Sequence, residues 1–186
     1  MVFAVHGLGD IPENFSMLFH DYPKGAHLVF PRGTIPWGRG YSWFNIRIPF
    51  TDTQPDLASE VGRAADQVAA LIRGMKGNDK PVITGFSQGG MISFALAIRH
   101  PHLVRLSVPI SGALPKGLFP MGCPKGAPPI RAMHGHADDI VPIGAAEQTI
   151  EHLEKVGCDA ALEAFTDVTH TISGKMKRRL YQHLAH

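Results

Sequence analysis

Residues 81–100, PVITGFSQGGMISFALAIRH, decide the fold of this chain. The β-branched residues at 82–84 predict a short strand, and apolar residues from Met91 onward recur at helical spacing. The glycine-flanked sequence 85–89, Gly-Phe-Ser-Gln-Gly, lies between these two segments. A strand, a sharp turn and a helix in this order are typical of a nucleophile elbow, where glycines permit a strained turn that exposes the central hydroxyl. We therefore predict that Ser87 is a nucleophile.

A G-x-S-x-G pattern alone is a weak signal, because a chain with 20 glycines can contain one by chance. The sequence context strengthens the prediction, because the pattern here joins a strand-like run to a helix-like run. The predicted helix opens directly after Ser87, so the backbone N–H groups of Gln88 and Gly89 have no partner within the helix. They are predicted to face an oxyanion formed when Ser87 attacks an acyl carbon.

Composition indicates a soluble globular chain that forms one domain over residues 1–186. Hydrophobic residues make up 44% and charged residues 18%, and the formal net charge is only +2. This charge balance gives no reason to expect binding to nucleic acid or to an anionic membrane.

Two cysteines, Cys123 and Cys158, are predicted to stay free thiols, because a chain without a secretion signal more often keeps them reduced. The first residues, MVFAVHGLGD, do not resemble a signal peptide, and no apolar run is long enough to cross a bilayer. A cytoplasmic location is therefore expected.

Further apolar, β-rich runs predict five more strands, at residues 2–5, 27–30, 103–110, 130–134 and 160–165. Helical patterns alternate with most of them, at residues 14–20, 56–75, 144–156 and 173–184. Six strands that mostly alternate with helices predict an α/β fold with a mostly parallel six-stranded sheet and helices on both faces.

Residues 31–55 have a different composition, in which prolines and glycines break regular structure and five large aromatic side chains supply apolar surface. Such a segment is expected to be ordered. It is expected either to cover the sheet edge as a structural flap or to form a wall of a substrate pocket.

A serine needs a base and a group that orients the base, and in this architecture both follow later strands in the order acid, then histidine. His170 lies in the loop after the last predicted strand, so it is predicted to be the base. Asp138 and Asp139 follow the strand at 130–134, and the residues alone do not decide between them; Asp167 is a third, weaker candidate. The histidines and aspartates at 134–139 look superficially like metal ligands, but no metal is expected, because a catalytic metal normally needs three ligands in workable geometry.

The turn after the first strand, His6-Gly7-Leu8-Gly9-Asp10, is predicted to supply a second oxyanion donor, the backbone N–H of Leu8. Together with the segments GFSQGG (85–90), Ser111-Gly112, HGxxDxxVP (134–142) and His170, this turn resembles the phospholipase/carboxylesterase family of α/β-hydrolases, which includes the acyl-protein thioesterases. The resemblance covers nearly the whole chain.

The resemblance implies a triad of Ser87, Asp138 and His170, with Leu8 and Gln88 forming the oxyanion hole. The stretch 41–45, YSWFN, is similar to a Trp-Phe-Asp stretch near the acyl site of that family, which implies that Trp43 and Phe44, with Trp37 nearby, bind substrate. Neither a metal nor an organic cofactor is implied.

Two departures from the family carry further expectations. Members usually have a strand or hairpin before the HGLGD strand, and this chain begins directly at it, so a smaller sheet with a barer edge is expected. A bare edge of this kind favours a homodimer. The family's acyl-binding loop is compressed here into residues 48–56, which favours small esters with short acyl groups. The alternatives are a lysophospholipase or thioesterase acting on longer acyl chains, and a non-catalytic ligand-binding homologue.

Overall fold

Parallel strands form the central sheet of the computed structural model, which describes residues 1–23, 25–75 and 79–185. In chain order the strands of this described part are β1 (Val2–Val5), β2 (Leu28–Val29), β3 (Ile35–Trp37), β4 (Gly40–Ser42), β5 (Val82–Phe86), β6 (Leu106–Ile110), β7 (Ile130–Gly135) and β8 (Ala160–Phe165). Six of them form one sheet in the order β2-β1-β5-β6-β7-β8, and all its neighbouring pairs are parallel. This confirms the predicted six-stranded parallel sheet.

Helices cover both faces of this sheet, as predicted. They are α1 (Pro12–Ser16), α2 (Leu57–Gly74), α3 (Gln88–Arg99), α4 (Ile143–Lys155) and α5 (Gly174–Leu184). Buried residues of α2, α3 and α4 form one apolar cluster with one face of the strands. Buried residues of α1 and α5 form a second cluster with the other face.

Alternation along the strands explains these two layers. In β1, Phe3 and Val5 belong to the first cluster, and Val2 and Ala4 belong to the second. A strand buried on both faces is apolar at most of its positions, which is why β1 reads as a continuous apolar run.

Two predicted boundaries were wrong. The strand predicted over 103–110 begins only at Leu106, because the N–H of Leu103 bonds to the carbonyl of His100 in a preceding turn. The helix predicted over 14–20 is the short α1, followed by a 3₁₀ turn at Met17–Phe19.

The segment 31–55 contains the antiparallel pair β3–β4, which the sequence analysis did not predict. This hairpin is fixed to the turn after β1, because Gly9 N–H donates to Tyr41 O at 2.8 Å and Tyr41 N–H donates to Asp10 O at 3.1 Å. Gly40 permits the close approach, since a Cβ there would overlap the backbone of Gly9. The hairpin therefore lies beside the carboxyl edge of the sheet.

The cysteine prediction was wrong, because Cys123 and Cys158 form a disulfide with a Cα–Cα distance of 5.1 Å. The backbone explains the approach: Cys123 N–H donates to Val156 O at 3.0 Å, which holds the loop before β7 against the end of α4. Sequence spacing could not reveal this contact, because the two residues are 35 positions apart.

Across the three described ranges, every helix is too short or too polar to cross a lipid bilayer.

Candidate active site

Ser87 occupies the turn between β5 and α3, with φ 56° and ψ −113°. This backbone conformation is strained for any residue with a side chain. The neighbouring glycines make the turn possible: a Cβ on Gly85 would lie 2.5 Å from the backbone of Gly89, and a Cβ on Gly89 would overlap the carbonyl oxygen of Val5. The predicted elbow is thus present, with the Ser87 hydroxyl at the carboxyl edge of the sheet.

His170 lies in the loop after β8 and contacts both Ser87 and Asp138. Its Nε2 is 3.0 Å from Ser87 Oγ, and its Nδ1 is 2.8 Å from Asp138 Oδ2. Because a carboxylate can only accept, the Nδ1–H donates to Asp138 and Nε2 is left to accept the Ser87 proton. This is the arrangement in which a histidine can act as a general base toward a serine.

Asp138 is buried and receives several hydrogen bonds in the short loop after β7. Its Oδ1 accepts from the N–H groups of Ile140 and Val141, at 3.0 and 2.9 Å. Burial would raise the pKa of Asp138, but hydrogen bonds from His134, His170 and the Val141 backbone outweigh it and hold the pKa well below its usual range. Asp138 is therefore ionised at neutral pH.

The geometry shows which of the three candidate acids contacts His170, a choice that the sequence left open. Asp139 and Asp167 are both exposed, and no hydrogen bond joins either of them to His170 in the described chain. Asp138 alone among them orients the imidazole.

The two predicted oxyanion donors belong to residues near Ser87: Gln88 follows it in the chain, and Leu8 lines the cavity beside it. Gln88 is the first residue of α3, so its N–H has no carbonyl acceptor within the helix. Leu8 lines the same cavity as Ser87, and among the described residues its N–H makes no backbone hydrogen bond. Both N–H groups are thus free to bind an anionic oxygen.

A cavity of about 300 Å³ opens beside Ser87 and His170. Leu8, Ile48, Phe86 and Ile140 give it apolar walls, and Asp10 and Gly7 complete the lining. The wall next to the serine hydroxyl is therefore largely apolar.

The prediction that Trp43 and Phe44 bind substrate needs correction. Their side chains are 2% and 0% exposed and pack in the core, and neither lines the cavity beside Ser87. Apolar aromatics of this size pack as readily in a core as in a pocket, which is why the sequence could not separate the two. Trp37 is half exposed on β3 beside Gly9, outside the cavity lining.

His134, at the end of β7, contacts Asp138 and so belongs to the candidate site, whereas from the sequence it looked only superficially like a metal ligand. It is buried, and its Nε2 lies 2.8 Å from Val141 O and 3.3 Å from Asp138 Oδ2. Its Nε2–H therefore supports the loop that carries the acid. The spacing His134-x-x-x-Asp138 was the available signal. In the ranges that the structure describes, no group of three or more metal-binding side chains could hold an ion.

Comparison with known proteins agrees with this architecture. The family model for phospholipases and carboxylesterases matches residues 1–186. A probable carboxylesterase of Oryza sativa subsp. japonica is 29% identical over 97% of this chain and 73% of its own length. A probable inactive carboxylesterase of the same plant is 27% identical over 90% of this chain and 76% of its own length.

Among solved structures, Zea mays acyl-protein thioesterase 2 superposes with a TM-score of 0.80 at 20% identity, covering 99% of this chain and 91% of the maize chain. This likeness concerns the fold. With the family model matching from residue 1 to residue 186, the chain belongs to the phospholipase/carboxylesterase family of α/β-hydrolases.

Proposed function

We propose that this protein is a serine carboxylesterase that hydrolyses short-acyl esters through an acyl-enzyme. The observation that carries the proposal is the continuous line of hydrogen bonds from Ser87 Oγ through His170 to the Asp138 carboxylate, at 3.0 and 2.8 Å. Family membership gives the coarser statement, a hydrolase of the carboxylesterase and thioesterase type.

In the first half-reaction, Ser87 Oγ attacks the ester carbonyl carbon while its proton passes to His170 Nε2. The carbonyl π electrons move to the oxygen, and the N–H groups of Leu8 and Gln88 bind the resulting oxyanion. When the tetrahedral intermediate collapses, the C–O bond to the leaving group breaks. The alcohol departs with the proton from His170, and the acyl group stays on Ser87.

In the second half-reaction, water takes the place of the alcohol. His170 removes a proton from water as its oxygen attacks the acyl carbon, the same two N–H groups bind the oxyanion, and the bond to Ser87 Oγ breaks. His170 returns the proton to Ser87, and the carboxylic acid leaves. Asp138 stays ionised throughout and stabilises the imidazolium that forms in each half-reaction.

The size of the cavity beside Ser87 is the argument for a short acyl group. Its volume of about 300 Å³ is at the lower end of the range for small-molecule sites. The alternative, a lysophospholipase or thioesterase for longer chains, would need an apolar groove lined in part by Trp43, but that side chain is buried. The alternative of a non-catalytic homologue has a precedent in name, since one rice relative is called probable inactive carboxylesterase.

The test is hydrolysis of p-nitrophenyl esters with acyl groups from acetyl to palmitoyl, by the wild-type protein and by Ser87→Ala. We expect turnover that is highest for the shortest esters, and a loss in the variant of at least about 10⁴-fold in kcat. Half-buried Ser16, replaced by alanine, is the matched control. Turnover that rises with chain length would favour the long-chain alternative, and a folded wild-type protein without turnover would favour the ligand-binding one.

The cytoplasmic location remains a prediction. The disulfide between Cys123 and Cys158 argues against it, because disulfides are rare in reducing compartments.

A further inference from the structure

The side chain of Gln88 joins the nucleophile elbow to residues 42–44. It is buried, and its amide oxygen accepts from Trp43 N–H at 3.0 Å. Its amide nitrogen donates to Ser42 Oγ at 3.0 Å and to Phe44 O at 2.8 Å. Both amide protons and the amide oxygen are thus engaged, so the residue that carries one oxyanion N–H is held through its own side chain.

Trp43 extends this connection to the opposite side of the site. Its indole Nε1–H donates to the carbonyl oxygen of His6 at 3.1 Å. His6 is the first residue of the turn that carries Leu8. One buried tryptophan therefore links the turn after β1 to the Gln88 side chain, through its indole on one side and its backbone N–H on the other.

The imidazole of His6 acts on the turn itself. Its Nε2 lies 3.0 Å from the N–H of Gly33 and can only accept there, so the ring proton is on Nδ1. Nδ1–H donates to the carbonyl oxygen of Gly7 at 2.7 Å. The ring, which is fully buried, thus connects this turn to residue 33.

Two hydrogen bonds hold Gly7 O, the short one from His6 Nδ1–H and a longer one from Asp10 N–H at 3.4 Å, and they determine where the Leu8 N–H points. The carbonyl of Gly7 and the N–H of Leu8 belong to one planar peptide unit, and in a trans unit they point in opposite directions. A hydrogen bond that fixes the carbonyl on the His6 side therefore directs the N–H away from it, toward the cavity that Leu8 and Ser87 share. His6 orients an N–H group that it does not touch.

We propose that the side chains of His6, Trp43 and Gln88, here called the oxyanion clamp, are positioning residues that hold the Leu8 and Gln88 N–H groups at the spacing the oxyanion requires. The clamp rests on the proposed function, since it positions donors for that reaction. In this proposal, segment 33–44 connects the two loops of the oxyanion hole. The walls of the cavity are formed by other residues.

The test compares three variants that remove clamp bonds and put an apolar side chain of related shape in place of each polar one: Gln88→Met, Trp43→Phe and His6→Phe. A displaced oxyanion donor weakens transition-state binding with little effect on ground-state binding. We expect kcat for a short p-nitrophenyl ester to fall about 10- to 100-fold, with KM changed less than about twofold. Affinity for a trifluoromethyl ketone, which forms a tetrahedral adduct with the serine, should fall in parallel with kcat.

Two controls separate positioning from loss of stability. Thr149→Val removes a buried hydroxyl that accepts from Leu114 N–H at 3.1 Å, and it should lower the melting temperature while keeping kcat. His6→Asn offers an amide nitrogen near the place of Nδ1, so it should retain more activity than His6→Phe. A purely structural role predicts no such rescue.

Folded clamp variants with kcat and inhibitor affinity within about twofold of the wild-type values would overturn the clamp and leave the proposed esterase intact. Absence of turnover and of ketone binding in the wild-type protein would overturn both, because the clamp would then have no oxyanion hole to position.

Discussion

The acid half and the oxyanion half of the site are held in different ways. Asp138 and His170 lie in loops that follow β7 and β8, which are neighbours in the sheet, and they bond directly to each other. Leu8 and Gln88 follow β1 and β5, which are also neighbours, but a third segment, residues 33–44, connects them. Two short loops are enough to orient the His170 side chain. The two backbone N–H groups of the oxyanion half, in contrast, are held by a third segment of the chain.

The largest expected effect breaks the acid half alone. Asp138→Asn should lower kcat about 10⁴-fold, because an amide nitrogen can donate to His170 Nδ1 and would then favour the tautomer whose Nε2 cannot accept the Ser87 proton. Steady-state kinetics with a short p-nitrophenyl ester measure this loss.

The neighbouring variant Asp139→Asn is the control and should keep normal turnover, since that side chain is exposed. If the two variants lost activity equally, the assignment of Asp138 as the orienting acid would be wrong.

A second change should lower stability without touching either half. The disulfide closes a loop between residues 35 positions apart, and replacing both cysteines by serine should cost about 4 kcal/mol of unfolding free energy on the chain-entropy estimate. Chemical denaturation measures this loss, and kcat at a temperature well below the transition should not change.

Thiol titration of the unfolded wild-type protein without reductant provides the check. Two reactive thiols would mean that the bond does not form, and the serine variant would then be expected to match the wild type in stability.

A third change sharpens the comparison within the acid half. His134→Leu removes the donor to Val141 O and Asp138 and leaves a buried carbonyl without this partner, which should cost about 1 to 3 kcal/mol of stability. We expect kcat to fall about 10-fold, because Asp138 keeps its bonds from His170 and the backbone.

Exposed His136, replaced by alanine, is the control on the same loop and should leave both quantities unchanged. A His134→Leu protein with wild-type kcat would show that the backbone donors alone are enough to hold the acid.

The smallest expected effect is on the pH dependence of stability, which differs between His6 in the oxyanion half and Asp138 in the acid half. Burial lowers the pKa of His6 below 6.5, although the hydrogen bond to Gly7 and the charge of Asp10 partly oppose this shift. The unfolded chain therefore binds a proton at this position before the folded chain does, and stability falls as pH drops below about 6.5, by at most about 1.4 kcal/mol per pH unit for one group.

Asp138 contributes in a lower window. Its lowered pKa means that its contribution is complete above about 3.8 and is lost as pH falls below that value. Denaturation curves between neutral pH and pH of about 3 should show both windows, and His6→Asn should flatten only the upper one. An unchanged slope between neutral pH and the Asp138 window in His6→Asn would contradict the assignment to His6.

Most of the sheet and the residues that meet in the candidate site could be predicted from the sequence, because their signals are local. Strands buried on both faces read as apolar runs, and Ser87 and His170 follow such runs directly. The choice between Asp138 and Asp139 could not be made from the residues, since it depends on which of two adjacent side chains turns inward.

The residues that position the oxyanion hole could not be predicted for a different reason. Trp43 is a residue type that is common in substrate pockets, but its side chain is buried in the core. Only its hydrogen bond to His6 O connects it with the site. The disulfide has the same character, because both features are contacts between segments far apart in the chain.

Because the site residues lie far apart along the chain, enzymatic activity can also be used to follow folding. The hydrogen bond between His170 and Ser87 joins residues 83 positions apart, and the clamp adds bonds that reach back to His6. Contacts of such long range form late and slowly, since loop closure must precede them. Recovery of turnover after dilution from denaturant should therefore lag behind recovery of helix signal, and an ester assay would report when the whole parallel sheet has assembled.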